Sequence, residues 1–259
     1  MKAEDLKLIV QEKYGKIAEQ PSNQNSCCGT SCCGSDLDYS IFSENYDNKA
    51  GYIPDADLNL GCGIPTDFAG IKEGNHVLDL GSGAGNDCFV ARSLVGEKGM
   101  VTGIDFTDAM LSKARGNNST LGYRNVEFVK GDIEDMPLPS NSFDVVISNC
   151  VINLVPDKSK AFSEIFRVLK PGGHFCVSDV VTKGELSDKM RQDAELYAGC
   201  VSGAVDISEY AGHITKQGFS GITIHKEKQI KLPDALLIIY EEDKDTGIFS
   251  ITITGYKPG

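Results

Sequence analysis

Leu78-Asp79-Leu80-Gly81-Ser82-Gly83-Ala84-Gly85-Asn86-Asp87 sets the architecture that we expect for this chain of 259 residues. The stretch contains the end of a short apolar run, His76–Leu80, and continues into a helical pattern, Asp87–Val95. Glycines between a strand and a helix let a ligand approach backbone amides closely, and the helix N-terminus favours a carboxylate or a phosphate. Residues 81–85 are therefore predicted to form a nucleoside-binding loop.

The spacing of the glycines narrows the class of ligand. The loop reads Gly-x-Gly-x-Gly, and Asn86 stands where a dinucleotide-binding loop has its last glycine. A pyrophosphate site normally needs that glycine for packing between helix and strand. The departure favours a nucleoside with an amino-acid tail over a dinucleotide.

Apolar runs and helical patterns alternate along the chain. The predicted strands are His76–Leu80, Met100–Phe106, Val126–Lys130, Phe143–Ser148, His174–Val181, Gly221–Leu232 and Gly247–Tyr256. The predicted helices are 1–20, Asp87–Val95, Asp108–Asn117, Lys158–Leu169, Ser187–Tyr197 and Ile207–Gln217. The alternating order and the near-continuous Val/Ile/Leu strands indicate a parallel sheet covered on both faces. The predicted fold is α/β, Rossmann-like and doubly wound, with a mostly parallel seven-stranded sheet.

Acidic residues follow successive predicted strands. Asp105 ends the second strand, where a carboxylate can accept both ribose hydroxyls. Asp132 and Ile133 follow the third strand and would give the adenine a polar contact and an apolar wall, while Met110 could pack on its other face. Any one aspartate, Asp144 included, could instead be a solvated loop end or a helix cap. The ordered set favours a ligand site, because open α/β sheets bind ligands at the carboxyl ends of strands.

Residues 70–181 resemble the class I S-adenosylmethionine-dependent methyltransferases. The motifs that carry the resemblance are LDLGSGAGND, GIDFTDAML, GDIEDMPLP, FDVVISNCV and FRVLKPGG. The resemblance implies methyl transfer from S-adenosylmethionine as the cofactor. The cofactor contacts that it implies are Asp79, Gly81, Ser82, Gly83, Asn86, Asp105, Met110, Asp132, Ile133 and Asn149.

Nine cysteines suggest metal binding or redox chemistry, since a chain of this length does not need disulfides to fold. Cys88 and Cys176 fall inside a predicted helix and strand and are expected to be small core residues. Cys62 and Cys200 lie beside glycines, and Cys150 ends the fourth strand at the cofactor rim. These three could also be core residues. No histidine lies near them to complete a zinc site, and three soft thiolates suit a three-coordinate centre such as trivalent arsenic or antimony.

Nearly the whole chain is similar to the microbial arsenite methyltransferases. The matching residues are Tyr14-Gly15, the doublets Cys27-Cys28 and Cys32-Cys33, NLGCG, SNCVINL and AGCVSGA. The similarity implies that Cys62, Cys150 and Cys200 hold As(III) and that an N-terminal cysteine forms a disulfide with Cys62. Cys32 is favoured, although the family pattern needs one cysteine here and this chain offers four. The doublets could instead be a metal-scavenging tail.

The expected reaction is direct attack of the arsenic lone pair on the sulfonium methyl group, which needs no general base. Alignment of the two centres can contribute up to roughly 7–11 kcal/mol. Closing a disulfide would reduce the As(V) product, and an external thiol reductant of the thioredoxin or glutathione type would reopen it. The expected role is arsenic detoxification. A methyltransferase with a carbon or oxygen acceptor and a non-catalytic metalloid-binding protein remain alternatives.

The chain is predicted to have three parts. These are residues 1–40 (a helix and a mobile cysteine-rich segment), 41–181 (the cofactor domain) and 182–259 (a helical and strand extension that forms the metalloid site). The formal net charge of −12 argues against nucleic acid and anionic membranes as partners. The N-terminal sequence lacks the apolar core of a signal peptide. A cytoplasmic monomer that acts on a small-molecule metalloid is expected.

Overall fold

The structure is a computed structural model, and it describes residues 3–19, 43–184, 203–230 and 247–259. The helix predicted over Ser187–Tyr197, the cysteine doublets with Cys32, and Cys200 lie outside the described residues. The division of the chain into three parts therefore stays a prediction.

Seven strands form one sheet in the order β3-β2-β1-β4-β5-β7-β6. The strands are β1 His76–Leu80, β2 Met100–Asp105, β3 Val126–Lys130, β4 Phe143–Asn149, β5 Leu169–Lys183, β6 Ser220–Gln229 and β7 Gly247–Tyr256. Strands β1 to β5 pair in parallel, and β7 runs antiparallel to both of its neighbours. The predicted doubly wound, mostly parallel sheet is confirmed.

Five α-helices of the described residues accompany the sheet. They are α1 Ala3–Glu19, α2 Asn86–Val95, α3 Asp108–Leu121, α4 Lys158–Val168 and α5 Ile207–Lys216. Helix α3 runs past the predicted end at Asn117 and stops where Gly122 adopts a left-handed φ of 70°. No helix in the described ranges is long and apolar enough to cross a bilayer.

Alternate residues of the central strands belong to two apolar clusters, one on each face of the sheet. Leu78 and Val146 belong to the cluster that includes α4 and α5, whereas Val77 and Val145 belong to the cluster that includes α2 and α3. Since side chains of a strand point alternately to opposite faces, this division shows that helices cover both sides. Burial on both faces explains why apolar and polar residues do not alternate along these strands.

Strand β5 begins at Leu169, five residues before the predicted start at His174. Its pairing with β4 shifts register between Phe143 and Val145, so the Pro171-Gly172-Gly173 turn is accommodated as an irregularity within the strand. Strand β5 pairs with β7 along the whole of β7, from His174 opposite Tyr256 to Lys183 opposite Gly247. Strands β6 and β7 form an antiparallel pair at the sheet edge, with β6 outermost.

Candidate active site

The glycine loop lies between β1 and α2 and crosses the end of β2. Gly81, Gly83 and Gly85 have φ values of 65°, 52° and 98°, a region that other residues rarely adopt. A Cβ atom on Gly81 would lie 2.5 Å from the Val151 side chain. The amides of Gly81 and Ser82 both donate to Ile104 O, which fixes the loop on β2. The loop therefore leads the chain directly into the N-terminus of α2, where Gly85 is the N-cap.

A cleft of about 1190 Å³, open to solvent, lies over this loop and the carboxyl ends of the parallel strands. The residues predicted to contact the cofactor all line it: Asp79, Gly81, Ser82, Gly83, Asn86, Asp105, Met110, Asp132, Ile133 and Asn149. Lys7, Val10 and Tyr14 of α1 also line the cleft, which the sequence analysis did not anticipate. The N-terminal helix thus forms one wall of the cleft.

Two buried polar atoms at the cleft have no hydrogen-bond partner among the described residues. They are Ser82 Oγ and Asn86 Oδ1, and both residues line the cleft. A buried polar atom without a partner costs about 1–3 kcal/mol. Their grouping fits a ligand that brings its own polar groups, as the ribose and amino-acid parts of S-adenosylmethionine do.

Three carboxyl groups of the cleft are buried: Asp79, Asp87 and Asp105. Burial, followed by the neighbouring charge of Asp87, raises the pKa of Asp79 well above its usual range. Burial raises the pKa of Asp87 to about 6, although hydrogen bonds from Asn149 and Tyr46 oppose the shift. Burial also raises the pKa of Asp105 against the opposing N–H groups of Thr107 and Gly83. A positively charged ligand would favour the ionised form of these carboxyl groups.

Helix α1 is tied to the strand ends through one lysine. Lys7 Nζ lies 2.6 Å from Asp132 Oδ2 and also forms an ion pair with Glu134. Burial alone would lower the pKa of Lys7, but the hydrogen bonds to these two carboxylates raise it overall. Gln11 Nε2 adds a hydrogen bond of 3.1 Å to Phe106 O. Asp132 is thus held by α1 at the edge of the cleft.

Asp144 lies away from the cleft. It belongs to the amino end of β4, where it accepts hydrogen bonds from His76 N and from Lys170 Nζ. Its interpretation as a member of the acidic set at the strand ends is wrong, because a residue at the start of a parallel strand lies at the opposite edge of the sheet. Asp105 and Asp132, in contrast, line the cleft.

Two of the three predicted arsenic-binding cysteines meet beside the cleft. The ligand atoms of Cys62, Cys150 and Asp179 all lie within 4.8 Å of one another, and all three residues are buried. Cys150 also lines the cofactor cleft. It has a φ of 60°, and its amide donates to Ser178 O at 2.8 Å. This left-handed conformation turns the chain just after β4, at the boundary between the cleft and the thiol pair.

The loop that carries Cys62 is fixed by Asn149. Asn149 Oδ1 accepts from Cys62 N at 3.0 Å, and Asn149 Nδ2 donates to Gly63 O at 2.9 Å and to Asp87 Oδ2 at 3.0 Å. Ser250 Oγ donates to Cys62 O. A Cβ atom on Gly61 would lie 2.5 Å from Asn149 Nδ2, which explains why a glycine precedes the cysteine. Asn149 therefore connects the cofactor cleft to the thiol pair.

Asp179 is a site residue that the sequence analysis missed. Its carboxylate accepts from Tyr210 OH at 2.8 Å, from Asn153 N at 2.9 Å and from Val180 N at 3.0 Å. Burial raises the pKa of Asp179 to about 7, against the opposing hydrogen bond from Tyr210. A single acid inside the apolar strand pattern was the available signal, since a buried carboxylate needs partners.

The other two described cysteines occupy the core, as predicted. Cys88 is wholly buried in α2, with its thiol 3.2 Å from Asp79 Oδ2. Cys176 is wholly buried in β5, with its thiol 3.2 Å from Pro65 O. Neither is grouped with the thiols of Cys62 and Cys150.

The sheet, the glycine loop and the cleft at the strand ends define a class I S-adenosylmethionine-dependent methyltransferase, and residues 71–238 match the family described as a methyltransferase domain. The arsenite methyltransferase from Halobacterium salinarum is 37% identical to this chain, over 98% of this chain and 67% of its own length. The arsenite methyltransferase from Aquipseudomonas alcaligenes is 35% identical, over 96% of this chain and 71% of its own length. The crystal structure of an arsenic(III) S-adenosylmethionine methyltransferase from Chlamydomonas reinhardtii is 41% identical, with a TM-score of 0.68 over 76% of this chain and 68% of that chain. The chain belongs to the arsenite methyltransferase family.

Proposed function

We propose that this enzyme methylates trivalent arsenic, with Cys62, Cys150 and Cys200 as the three thiol ligands. The observation that carries the proposal is the buried thiol pair of Cys62 and Cys150, which adjoins the cofactor cleft through Cys150. The relatives named for arsenite methylation support the identity of the acceptor. Cys200 is proposed as the third ligand on the similarity of its sequence motif.

The residues of the chain would bind and align the two reactants. S-adenosylmethionine, when bound, supplies a methyl group on a positively charged sulfur. The glycine loop and Asp105 would hold its amino-acid and ribose parts, while Asp132, Ile133 and Met110 would surround the adenine. The thiols would leave the arsenic lone pair directed at the cleft. Because the nucleophile carries no proton, the methyl transfer itself needs no general base.

Methyl transfer converts As(III) to As(V), so further methylation requires two electrons. We propose that Cys62 and an N-terminal cysteine, with Cys32 favoured over Cys27, Cys28 and Cys33, supply these electrons by forming a disulfide. An external thiol of the thioredoxin or glutathione type would then reduce the disulfide. The proposed physiological role is detoxification of arsenic.

Arsenic speciation tests this function. The protein is incubated with As(III), methyl-labelled S-adenosylmethionine and a thiol reductant, and the products are separated. Labelled methylarsenicals are expected, and omission of the reductant should stop the reaction early. Cys176→Ser is the control, since Cys176 lies in the core away from the thiol pair. Bound As(III) without a methylated product would support a metalloid-binding protein, and methylation of another acceptor alone would support the carbon or oxygen alternative.

A further inference from the structure

A buried carboxylate lies beside the two buried thiols. The ligand atoms of Asp179, Cys62 and Cys150 lie within 4.8 Å of one another. Asp179 has no exposed surface, and Cys62 and Cys150 are 1% and 4% exposed. In the described part of the chain, this is the one cluster of three His, Cys, Asp or Glu residues with ligand atoms so close together.

Coordination of arsenic alone does not explain this carboxylate. Thiolates are the soft ligands of such a site, and a carboxylate is a hard ligand. Burial of a carboxyl group is costly unless it is hydrogen-bonded, and here Tyr210 OH and the amides of Asn153 and Val180 supply the donors. The donors fix the carboxylate next to the thiols, which suits a role in proton transfer.

We propose that Asp179 carries protons from the thiols of Cys62 and Cys150 to the departing oxygen atoms of As(III) while the substrate is loaded. In each exchange a sulfur–arsenic bond forms, an arsenic–oxygen bond breaks, the thiol proton goes to the departing hydroxide, and one water molecule leaves. Arsenic and sulfur keep their oxidation states. The inference rests on the proposed function, because it assigns a residue to the binding of the same substrate.

The hydrogen bonds indicate which carboxylate oxygen is available. Oδ2 accepts from both Tyr210 OH and Asn153 N, whereas Oδ1 accepts from Val180 N. A carboxylate oxygen has two lone pairs, so, counting the described residues, Oδ1 keeps one acceptor position after these bonds. Among the described residues, Lys158 is a charged group near Asp179, and its Nζ donates to Asn153 O and Val155 O. Lys158 is thereby held on backbone carbonyls, and Asp179 is the assigned carrier.

Binding kinetics of phenylarsonous acid test the assignment. This trivalent arsenical has two exchangeable oxygen atoms, so Cys62 and Cys150 suffice to bind it, and S-adenosylmethionine is left out. Association and displacement by a competing dithiol are followed through the thiolate–arsenic absorbance. In Asp179→Asn both rate constants should fall by about 100-fold, the lower end of the usual contribution of proton transfer. The Kd should stay the same, because a proton carrier accelerates both directions equally.

Asp144→Asn is the matched control and should leave both rates unchanged, since Asp144 lies at the opposite end of the sheet. If Asp179→Asn does not fold, judged by S-adenosylhomocysteine binding, Asp179→Glu is compared with Asp179→Gln, and only the former should retain fast exchange. Unchanged rates in Asp179→Asn, or a weaker Kd at an unchanged association rate, would overturn the proton-transfer role alone. Failure of the wild-type protein to bind the arsenical would overturn the proposed function as well.

Discussion

The cofactor cleft and the thiol pair adjoin each other, but the chain builds them in different ways. The cleft takes most of its predicted contacts from residues at or just after the ends of β1, β2 and β3. The thiol site takes Cys62 from a loop before the sheet, Cys150 from the turn after β4, Asp179 from within β5 and Tyr210 from α5. Residues at strand ends belong to short sequence motifs and can be recognised from them. A site assembled from four separate segments of the chain has no such local motif.

The largest effect is expected from a change confined to the thiol site. Cys150→Ser should reduce arsenic methylation at least about 1000-fold, equivalent to about 4 kcal/mol, because a hydroxyl does not replace a thiolate on arsenic. Affinity for S-adenosylhomocysteine, measured by calorimetry, should stay within about twofold. Cys176→Ser is the control and should retain activity. Equal loss of cofactor binding in Cys150→Ser would show that the two sites are not separable in this way.

The reciprocal change is Asp105→Asn in the cofactor cleft. It should weaken binding of S-adenosylmethionine by about 10- to 100-fold, the value of a hydrogen bond to a charged group. Phenylarsonous acid should bind as in the wild type. Asp108→Asn is the matched control, because that side chain is 74% exposed and pairs with Lys130. If Asp105→Asn weakened arsenical binding as much as cofactor binding, the two sites would not bind their ligands separately, and the prediction would be wrong.

Asn149 should affect both sites, since it bonds Cys62, Gly63 and Asp87. Asn149→Ala should weaken arsenical binding by about tenfold, because the lost hydrogen bond from Cys62 N, which holds the thiol loop, costs about 1–1.5 kcal/mol. Cofactor binding should weaken to a smaller extent. Asn118→Ala removes an amide that bonds Tyr123 O and Val126 O, away from both sites, and should lower Tm without changing either affinity. An effect of Asn149→Ala on Tm alone would refute the connection.

The smallest effect concerns pH and the charge of the cofactor. As the pH falls through about 6, Asp87 takes up a proton and loses its attraction for a cation. S-adenosylhomocysteine carries no charge on its sulfur. The ratio of the affinities for S-adenosylmethionine and S-adenosylhomocysteine should therefore fall severalfold between about pH 8 and pH 5, as measured by calorimetry. A constant preference would contradict the prediction.

The same carboxyl group determines a trend in stability. The folded protein keeps protons on Asp87 up to about pH 6, whereas the unfolded chain releases them near its ordinary carboxyl pKa of about 4. The contribution of Asp87 to the free energy of unfolding is therefore present at low pH and lost as the pH rises from about 4 to 6. Asp87→Asn should reduce this loss in denaturant titrations.

The sheet and the cofactor side could be predicted because their signals are local. Gly81 and Gly85 reveal the turn by their spacing, and Asp105 follows its strand directly. Lys7 could not be predicted, since its partner Asp132 lies 125 residues further along the chain. The pairing of Asp179 with Tyr210 spans 31 residues and depends on how α5 packs against β5. The prediction that grouped Asp144 with the acidic residues at the carboxyl ends of the strands was wrong. The direction of a strand, and not the acidity of the residue, decides which edge of the sheet the residue occupies.

X-ray absorption at the arsenic edge tests most directly whether the thiol site is the acceptor site. The protein is loaded with one equivalent of As(III) in the presence of S-adenosylhomocysteine, beside Cys62→Ser, Cys150→Ser and the control Cys176→Ser. Three sulfur neighbours are expected in the wild type and the control, and one fewer sulfur in each of the two site variants. A sulfur count unchanged by Cys62→Ser and Cys150→Ser, or arsenic bound through oxygen alone, would contradict it.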